Sequence, residues 1–136
     1  MKKVLTVGVY DLLHWGHFEL FRRAKELAGP SGKLVVAVQR DETVTKYKPQ
    51  TKLVYDLDKR VKMISALRYV DEVVPYEDID ESIKHINFSV FAIGGDQVHA
   101  GFQRAVKWRE ENGKQVVRLA RTDGISSTKL RGNGLK

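Results

Sequence analysis

Five short apolar runs alternate with amphipathic stretches along the chain, and each run is bounded by glycine, proline or polar residues. Runs of this length are typical of strands in a parallel sheet that is covered on both faces. The clearest run is 33–39, in which five consecutive residues are apolar. The predicted strands are 3–7, 33–39, a segment from 68 that Pro75 closes, 88–93 and 115–119.

The stretches between these runs predict helices. Apolar residues at 18, 20, 21, 24 and 27 have nearly helical spacing, and a Gly-Pro-Ser-Gly turn follows them at 29–32. Asp58 is predicted to cap a helix over 59–67 with a buried stripe at 61, 63, 64 and 67, and further helices are expected at 82–86 and 102–112. The polar stretch 40–52 has no sustained period and contains Pro49, so we expect a loop there.

Strands that alternate with helices predict an α/β fold with a doubly wound, five-stranded parallel sheet and right-handed crossovers. The 136 residues are enough for one domain with its own core and too few for two. We therefore expect a single domain over residues 1–136.

The charge and composition of the chain argue against several classes of protein. The net charge is +7, but no basic run of five or more residues occurs and the basic residues alternate with acidic ones, which does not favour a nucleic-acid partner. No apolar run has the length of a membrane span, which is about 20 residues, and the first residues show no signal peptide. The absence of cysteine rules out thiolate catalysis and fits a cytoplasmic location.

The candidate chemistry centres on residues 8–17, where the first strand gives way to a helix. His14 and His17 lie in or just before the first helical turn, with Gly16 between them. A helix N-terminus offers unpaired N–H groups and favours an anion, and imidazoles add directed donors. This pattern predicts a phosphate site. The alternative is that His14 only caps the helix and that His17 is an exposed helical residue.

Other candidates are expected at the carboxyl ends of the strands, the edge at which open α/β sheets bind ligands. Lys46 and Lys48 project from the predicted loop after the second strand, although they could be simply solvated. The segment 121–131 contains small hydroxyl residues that suit either a helix cap or a phosphate cradle.

The chain resembles the cytidylyltransferases, a branch of the nucleotidyltransferase superfamily with a Rossmann-like fold. Five motifs in order carry this resemblance: His-Trp-Gly-His at 14–17, Lys46 with Lys48, Arg-Tyr-Val-Asp-Glu-Val at 68–73, Gly95-Asp96, and the closing segment 121–129. The resemblance implies a homodimeric enzyme that transfers CMP from CTP to a small phosphate monoester, with glycerol 3-phosphate as the first candidate acceptor, and releases pyrophosphate without a covalent enzyme intermediate.

The resemblance also implies roles for individual residues. His14 and His17 are expected to donate to the α-phosphate and leaving oxygens, Lys48 to neutralise charge between donor and acceptor, and Lys46 to contact the acceptor phosphate. Arg121 is expected to help hold the departing β- and γ-phosphates. The expected nucleotide contacts are Val9, Tyr10, Asp11, Gly16, Arg68, Asp96, Thr122, Gly124, Ile125, Ser126, Ser127 and Thr128.

Several alternatives stay open. Asp11 either orients a histidine or a metal or caps the turn, and Arg68 and Asp96 could form a plain salt bridge. No carboxylate cage is evident, so Mg²⁺ is expected to bind through the nucleotide phosphates. The acidic segment 77–81 leaves room for an acceptor with an amine, such as phosphoethanolamine. The Ser-Ser-Thr run at 126–128 also resembles adenylyltransferases of the FAD-synthetase type, and a nucleotide- or RNA-binding module without catalysis is the alternative from another class.

Overall fold

Five parallel strands form one sheet in the computed structural model, which describes residues 2–50, 52–94, 100–113 and 115–119. The strands are β1 (Lys3–Gly8), β2 (Lys33–Gln39), β3 (Glu72–Tyr76), β4 (Val90–Gly94) and β5 (Gln115–Leu119). Their order across the sheet is β3-β2-β1-β4-β5, and every pairing is parallel. The chain thus winds outward from β1 in both directions, which confirms the predicted doubly wound sheet.

Helices cover both faces of this sheet. They are α1 (Trp15–Ala28), α2 (Asp41–Tyr47), α3 (Leu57–Ser65), α4 (Ile79–Ser82), which continues into a 3-10 turn (Ile83–His85), and α5 (Ala100–Glu111). None of the helices in the described ranges has the length and apolar character needed to cross a membrane.

The alternation of side chains along the strands divides the core into two clusters, one on each face. Leu5 and Val7 of β1 belong to a cluster that includes Ile83 and has Trp108 of α5 packed against it. Val4 belongs to the other cluster, which contains residues from α1 and α3, among them Phe21 and Ile64. Burial on both faces explains why the central strands are almost continuously apolar.

The predicted loop over 40–52 is wrong in its first half, because residues 41–47 form α2. Pro49 restricts itself and the residue before it, so it ends the helix near Lys48 without preventing the preceding turns. Asp41 and Glu42 lie in the first turn, where negative charge is favourable, and Val44 is buried against the rest of the protein.

The start of α3 also differs from the prediction. Asp56, rather than Asp58, is the N-cap, and its side chain accepts a hydrogen bond from the backbone N–H of Lys59 at 3.0 Å. Asp58 lies within the first turn and forms an ion pair with Lys62 at 3.0 Å. Both aspartates satisfy the sequence rule for a cap, and the tertiary contacts of the preceding segment select the earlier one.

The third strand includes Pro75, which was expected to close it. Pro75 is opposite Val38 within β3, and β3 is at the edge of the sheet. A proline has no N–H to give to a strand ladder, and an edge strand needs donors on one side only. The remaining predicted elements agree with the structure to within a few residues, and the bounds of β2 and β5 are as predicted.

Candidate active site

His14 is the N-cap of α1 and lies just beyond the carboxyl end of β1. Its backbone is extended, and its Nδ1 accepts a hydrogen bond from the backbone N–H of Gly16 at 3.0 Å. In a neutral imidazole one ring nitrogen accepts and the other donates, so this bond assigns the N–H of His14 to Nε2. His14 therefore does cap the helix, and the same contact orients it as a donor.

His17 stacks on His14, with ring centroids 3.9 Å apart and planes inclined by 23°. The edge contact of Tyr10, whose ring centroid is 5.2 Å from that of His17, fixes the imidazole from another side. Burial is the main reason that the pKa of His17 is lowered to about 3; the nearby His14 imidazole adds to this, and the Leu12 backbone acts in the opposite direction. The alternative of an exposed His17 is wrong, because the side chain is partly buried, and its imidazole is neutral at pH 7.

Tyr10 has a left-handed backbone, with φ of 55°, which is uncommon for a bulky residue. The turn brings its ring back over Gly8, so a Cβ at Gly8 would lie 2.7 Å from Cζ of Tyr10. Tyr10 is buried, and burial raises the pKa of its phenol. Gly8 is thus required at the end of β1 because Tyr10 occupies the space of a side chain.

Asp11 is buried, and both of its carboxylate oxygens accept hydrogen bonds from backbone amides. The N–H of Val54 lies 3.0 and 2.8 Å from the two oxygens, and the N–H of Tyr55 lies 2.9 Å from Oδ1. These contacts attach the segment before α3 to the histidine loop. They favour a positioning role for Asp11 over direct contact with a metal.

Arg60 is a site residue that the sequence reasoning missed. It lies on α3, its side chain is fully buried, and it donates to the carbonyl of Val9 at 2.8 Å and to that of Gln39 at 2.8 Å. It also donates to the carbonyl of Tyr55 at 3.1 Å and forms an ion pair with Asp41. The sequence signal that could have found it is its spacing: Arg60 lies four residues before Ile64 and therefore shares the inward face of α3. A charged residue at an inward position needs polar partners.

The two lysines lie at the end of α2. Lys46 is in its last turn, and Lys48 is the C-cap, with its backbone N–H bonded to the carbonyl of Val44 at 2.8 Å. Both side chains are exposed. Because α2 follows β2 directly, the lysines are at the same edge of the sheet as the histidine loop.

Arg68 is placed differently. It is exposed in the turn between α3 and β3, so it precedes the amino end of a strand. The histidine loop follows the carboxyl end of β1, and the sheet is parallel throughout. Within this chain Arg68 is therefore at the opposite edge of the sheet from His14.

The other predicted contacts fall outside the described residues. They are Asp96, Arg121, Thr122, Gly124, Ile125, Ser126, Ser127 and Thr128. The strands that lead to them, β4 and β5, end at Gly94 and Leu119, and their carboxyl ends are at the same edge as that of β1. Trp15 is exposed and stacks on Phe18, with ring centroids 5.1 Å apart.

The chain has a Rossmann-like sheet with two histidines at its central strand-to-helix turn, and comparisons with known proteins identify it as a nucleotidyltransferase. The chain belongs to the cytidylyltransferase-like family, whose profile matches residues 5–133. It is 37% identical to glycerol-3-phosphate cytidylyltransferase from Bacillus subtilis over 134 residues, which cover 96% of this chain and 95% of that protein. It is 40% identical to FAD synthase from Methanopyrus kandleri over 114 residues, or 82% of this chain and 74% of that protein.

A solved structure supports the same assignment. The lipopolysaccharide core biosynthesis protein from Thermoplasma volcanium superimposes with a TM-score of 0.74 at 27% sequence identity, over 90% of this chain and 99% of that chain. The family assignment confirms the resemblance carried by the five sequence motifs.

Proposed function

We propose that this enzyme is a CTP-dependent cytidylyltransferase that transfers CMP to a small phosphate monoester. An oxygen of the acceptor phosphate attacks the α-phosphorus of CTP in line, the bond from that phosphorus to the β-bridging oxygen breaks, and pyrophosphate leaves. The observation that carries the proposal is the stacked pair of imidazoles at the start of α1, beside a helix N-terminus that favours an anion.

The acceptor needs no general base. The second pKa of a phosphate monoester is about 6, so near pH 7 the acceptor is largely a dianion. The difficulty is the repulsion between this dianion and the triphosphate, and positioning with electrostatic stabilisation is the main source of rate in such transfers. His14 and His17 donate to the oxygens of the α-phosphate and of the leaving group, and Lys48 and Lys46 neutralise charge on the acceptor side. Arg121 and residues 126–128 hold the pyrophosphate portion.

We expect Mg²⁺ to bind through the nucleotide phosphates. Within the described ranges no group of three His, Asp or Glu side chains could hold a metal, and the oxygens of Asp11 already accept backbone amides. When bound, Mg²⁺ would neutralise charge on the phosphates, which suits an ion that usually keeps several waters. The chain supplies the donors around that charge. The resemblance also implies a homodimer, which remains a prediction.

Two observations bear on the acceptor. Glycerol 3-phosphate is the first candidate, supported by the 37% identity to a glycerol-3-phosphate cytidylyltransferase over nearly the whole chain. The acidic segment 77–81 favours testing acceptors that carry an amine, such as phosphoethanolamine. A second candidate is adenylyl transfer from ATP, which the identity of 40% to an FAD synthase favours.

Two measurements test these functions. The first incubates the purified protein with each of the four nucleoside triphosphates and Mg²⁺ and compares thermal stability; we expect CTP to protect best, and protection by ATP alone would favour the second candidate. The second measures pyrophosphate release with CTP and a panel of glycerol 3-phosphate, phosphoethanolamine, phosphocholine and sugar phosphates. No release of pyrophosphate from CTP with any acceptor of this panel would contradict the proposed cytidylyltransferase.

A further inference from the structure

The buried Arg60 connects the two halves of the candidate site. On one side it donates to the carbonyl of Val9, which lies in the loop that carries the histidines. On the other side it forms an ion pair with Asp41, the first residue of α2. We propose that the Arg60–Asp41 ion pair is a positioning device that fixes α2, and with it Lys46 and Lys48, relative to the histidine loop.

The Arg60 side of this connection is rigid. Its guanidinium is planar, and its N–H groups donate to three carbonyls from separate segments, those of Val9, Gln39 and Tyr55. Since the side chain is fully buried, water cannot replace these acceptors at low cost. The orientation that Arg60 presents to Asp41 is therefore set by the ends of β1 and β2 and by the segment before α3.

The Asp41 side determines where α2 lies. One carboxylate oxygen pairs with Arg60, and Oδ2 accepts the backbone N–H of Leu57 at 3.1 Å, so Asp41 joins α2 to α3 at two points. The N-cap of α2, Arg40, makes no capping hydrogen bond with its side chain. A helix of seven residues is too short to be stable alone, and its placement depends on tertiary contacts such as these.

Loss of the pair should therefore loosen α2 while the sheet stays folded. The inference rests on the proposed function in one respect, the assignment of Lys46 and Lys48 to the acceptor side. Both lysines follow Asp41 within two helical turns. Because a shift of about 1 Å at a reacting group can cost about a hundredfold in rate, a small displacement of α2 is sufficient to impair the acceptor side. CTP binding depends on the histidine loop, which keeps its own contact with Arg60.

The decisive variant is Asp41→Asn, which removes the charge of the pair at constant size. We expect the acceptor KM to rise and kcat to fall, for a combined loss in kcat/KM of about ten- to a hundredfold, with an unchanged dissociation constant for CTP. Asp41→Glu, which keeps the charge, should recover part of the loss. The matched control is Asp58→Asn, which removes the exposed ion pair with Lys62 on α3 and should behave as wild type. Wild-type acceptor kinetics in Asp41→Asn would overturn the inference.

Amide hydrogen exchange separates this inference from the proposed function. In Asp41→Asn we expect faster exchange over residues 42–48, with the strands unchanged, and no such change in Asp58→Asn. Wild-type exchange over that segment would overturn the positioning role even if the enzyme proved to be a cytidylyltransferase. A wild-type protein that turns over no acceptor with CTP would instead overturn the proposed function, and the exchange result would still decide whether the ion pair holds α2.

Discussion

The imidazoles of His14 and His17 stack face to face, with centroids 3.9 Å apart. Burial lowers the pKa of His17 to about 3, so this ring is neutral at pH 7 and does not repel its neighbour. The Gly16 amide holds one ring and the edge of Tyr10 contacts the other. The loop thus holds both rings in fixed orientations beside the N-terminus of α1, where an anion is favoured.

Replacement of His17 by Ala should lower kcat by about 10²–10³, because one well-placed donor to the transition state contributes that much. Steady-state pyrophosphate release with CTP and the best acceptor measures this. His85→Ala is the matched control, since His85 is exposed in the 3-10 turn after α4. A folded His17→Ala enzyme with the turnover of wild type would contradict the assigned role.

The same histidine should make the fold sensitive to acid. The folded pKa of His17 is about 3, below its ordinary value of 6.5, so the unfolded chain binds the proton more readily between these values. Stability is therefore complete above pH 6.5 and falls as the pH is lowered toward 3, with a loss of about 2 kcal/mol from this group by pH 5.

Urea unfolding at pH 7 and pH 5 measures that loss. His17→Gln removes the titrating group, so its free energy of unfolding should depend less on pH than that of wild type. Equal pH dependence in the two proteins would show that the neutral state of His17 is not enforced by the fold.

Gly8→Ala should destabilise the protein and also impair turnover. The added methyl would lie 2.7 Å from Cζ of Tyr10, and overpacking of this kind costs about 1–3 kcal/mol. Displacement of the Tyr10 ring would also disturb His17, which it contacts edge-on. Thermal unfolding of Gly8→Ala in the wild-type and Tyr10→Ala backgrounds forms a double-mutant cycle. We expect most of the cost to disappear in the second background, and equal costs in both would exclude the ring as the cause.

The architecture was predictable because its strands and helices have local patterns of apolar residues. The apolar run 34–38 identifies a strand buried on both faces, and its burial is indeed nearly complete. The position of the histidine turn was predictable for a related reason. An apolar strand, Gly8 and the amphipathic pattern of α1 follow one another along the chain, so the turn between strand and helix had to lie between them. The family motifs added the chemistry that periodicity cannot supply.

The remaining features depend on contacts between distant segments. α2 was missed because its stability comes from the buried Val44 and the pairing of Asp41 with Arg60, and neither contact has a local signature. Arg60 was missed as a site residue because a charged residue in an amphipathic helix is usually solvated. Its role becomes visible only when the carbonyls of Val9 and Gln39 are seen to converge on it.

The pH dependence of turnover should follow the acceptor and not His17. Since the pKa of His17 is about 3, this residue keeps one protonation state across the neutral range. The acceptor phosphate, whose second pKa is about 6, loses its dianionic form below that pH. We expect kcat/KM for the acceptor, at saturating CTP, to fall about tenfold per pH unit on the acidic side.

The fall in kcat/KM at acidic pH, the acidic limb of the profile, arises from titration of either the acceptor or the enzyme. A phosphonate analogue of the acceptor distinguishes these two sources. Its second pKa is higher than that of the phosphate ester, so the acidic limb should move to higher pH when it replaces the ester. A limb that stays at the same pH with both acceptors would assign the titration to the enzyme. In that case His14, which carries its proton on Nε2 while Nδ1 accepts the Gly16 amide, would be the group to examine next by substitution.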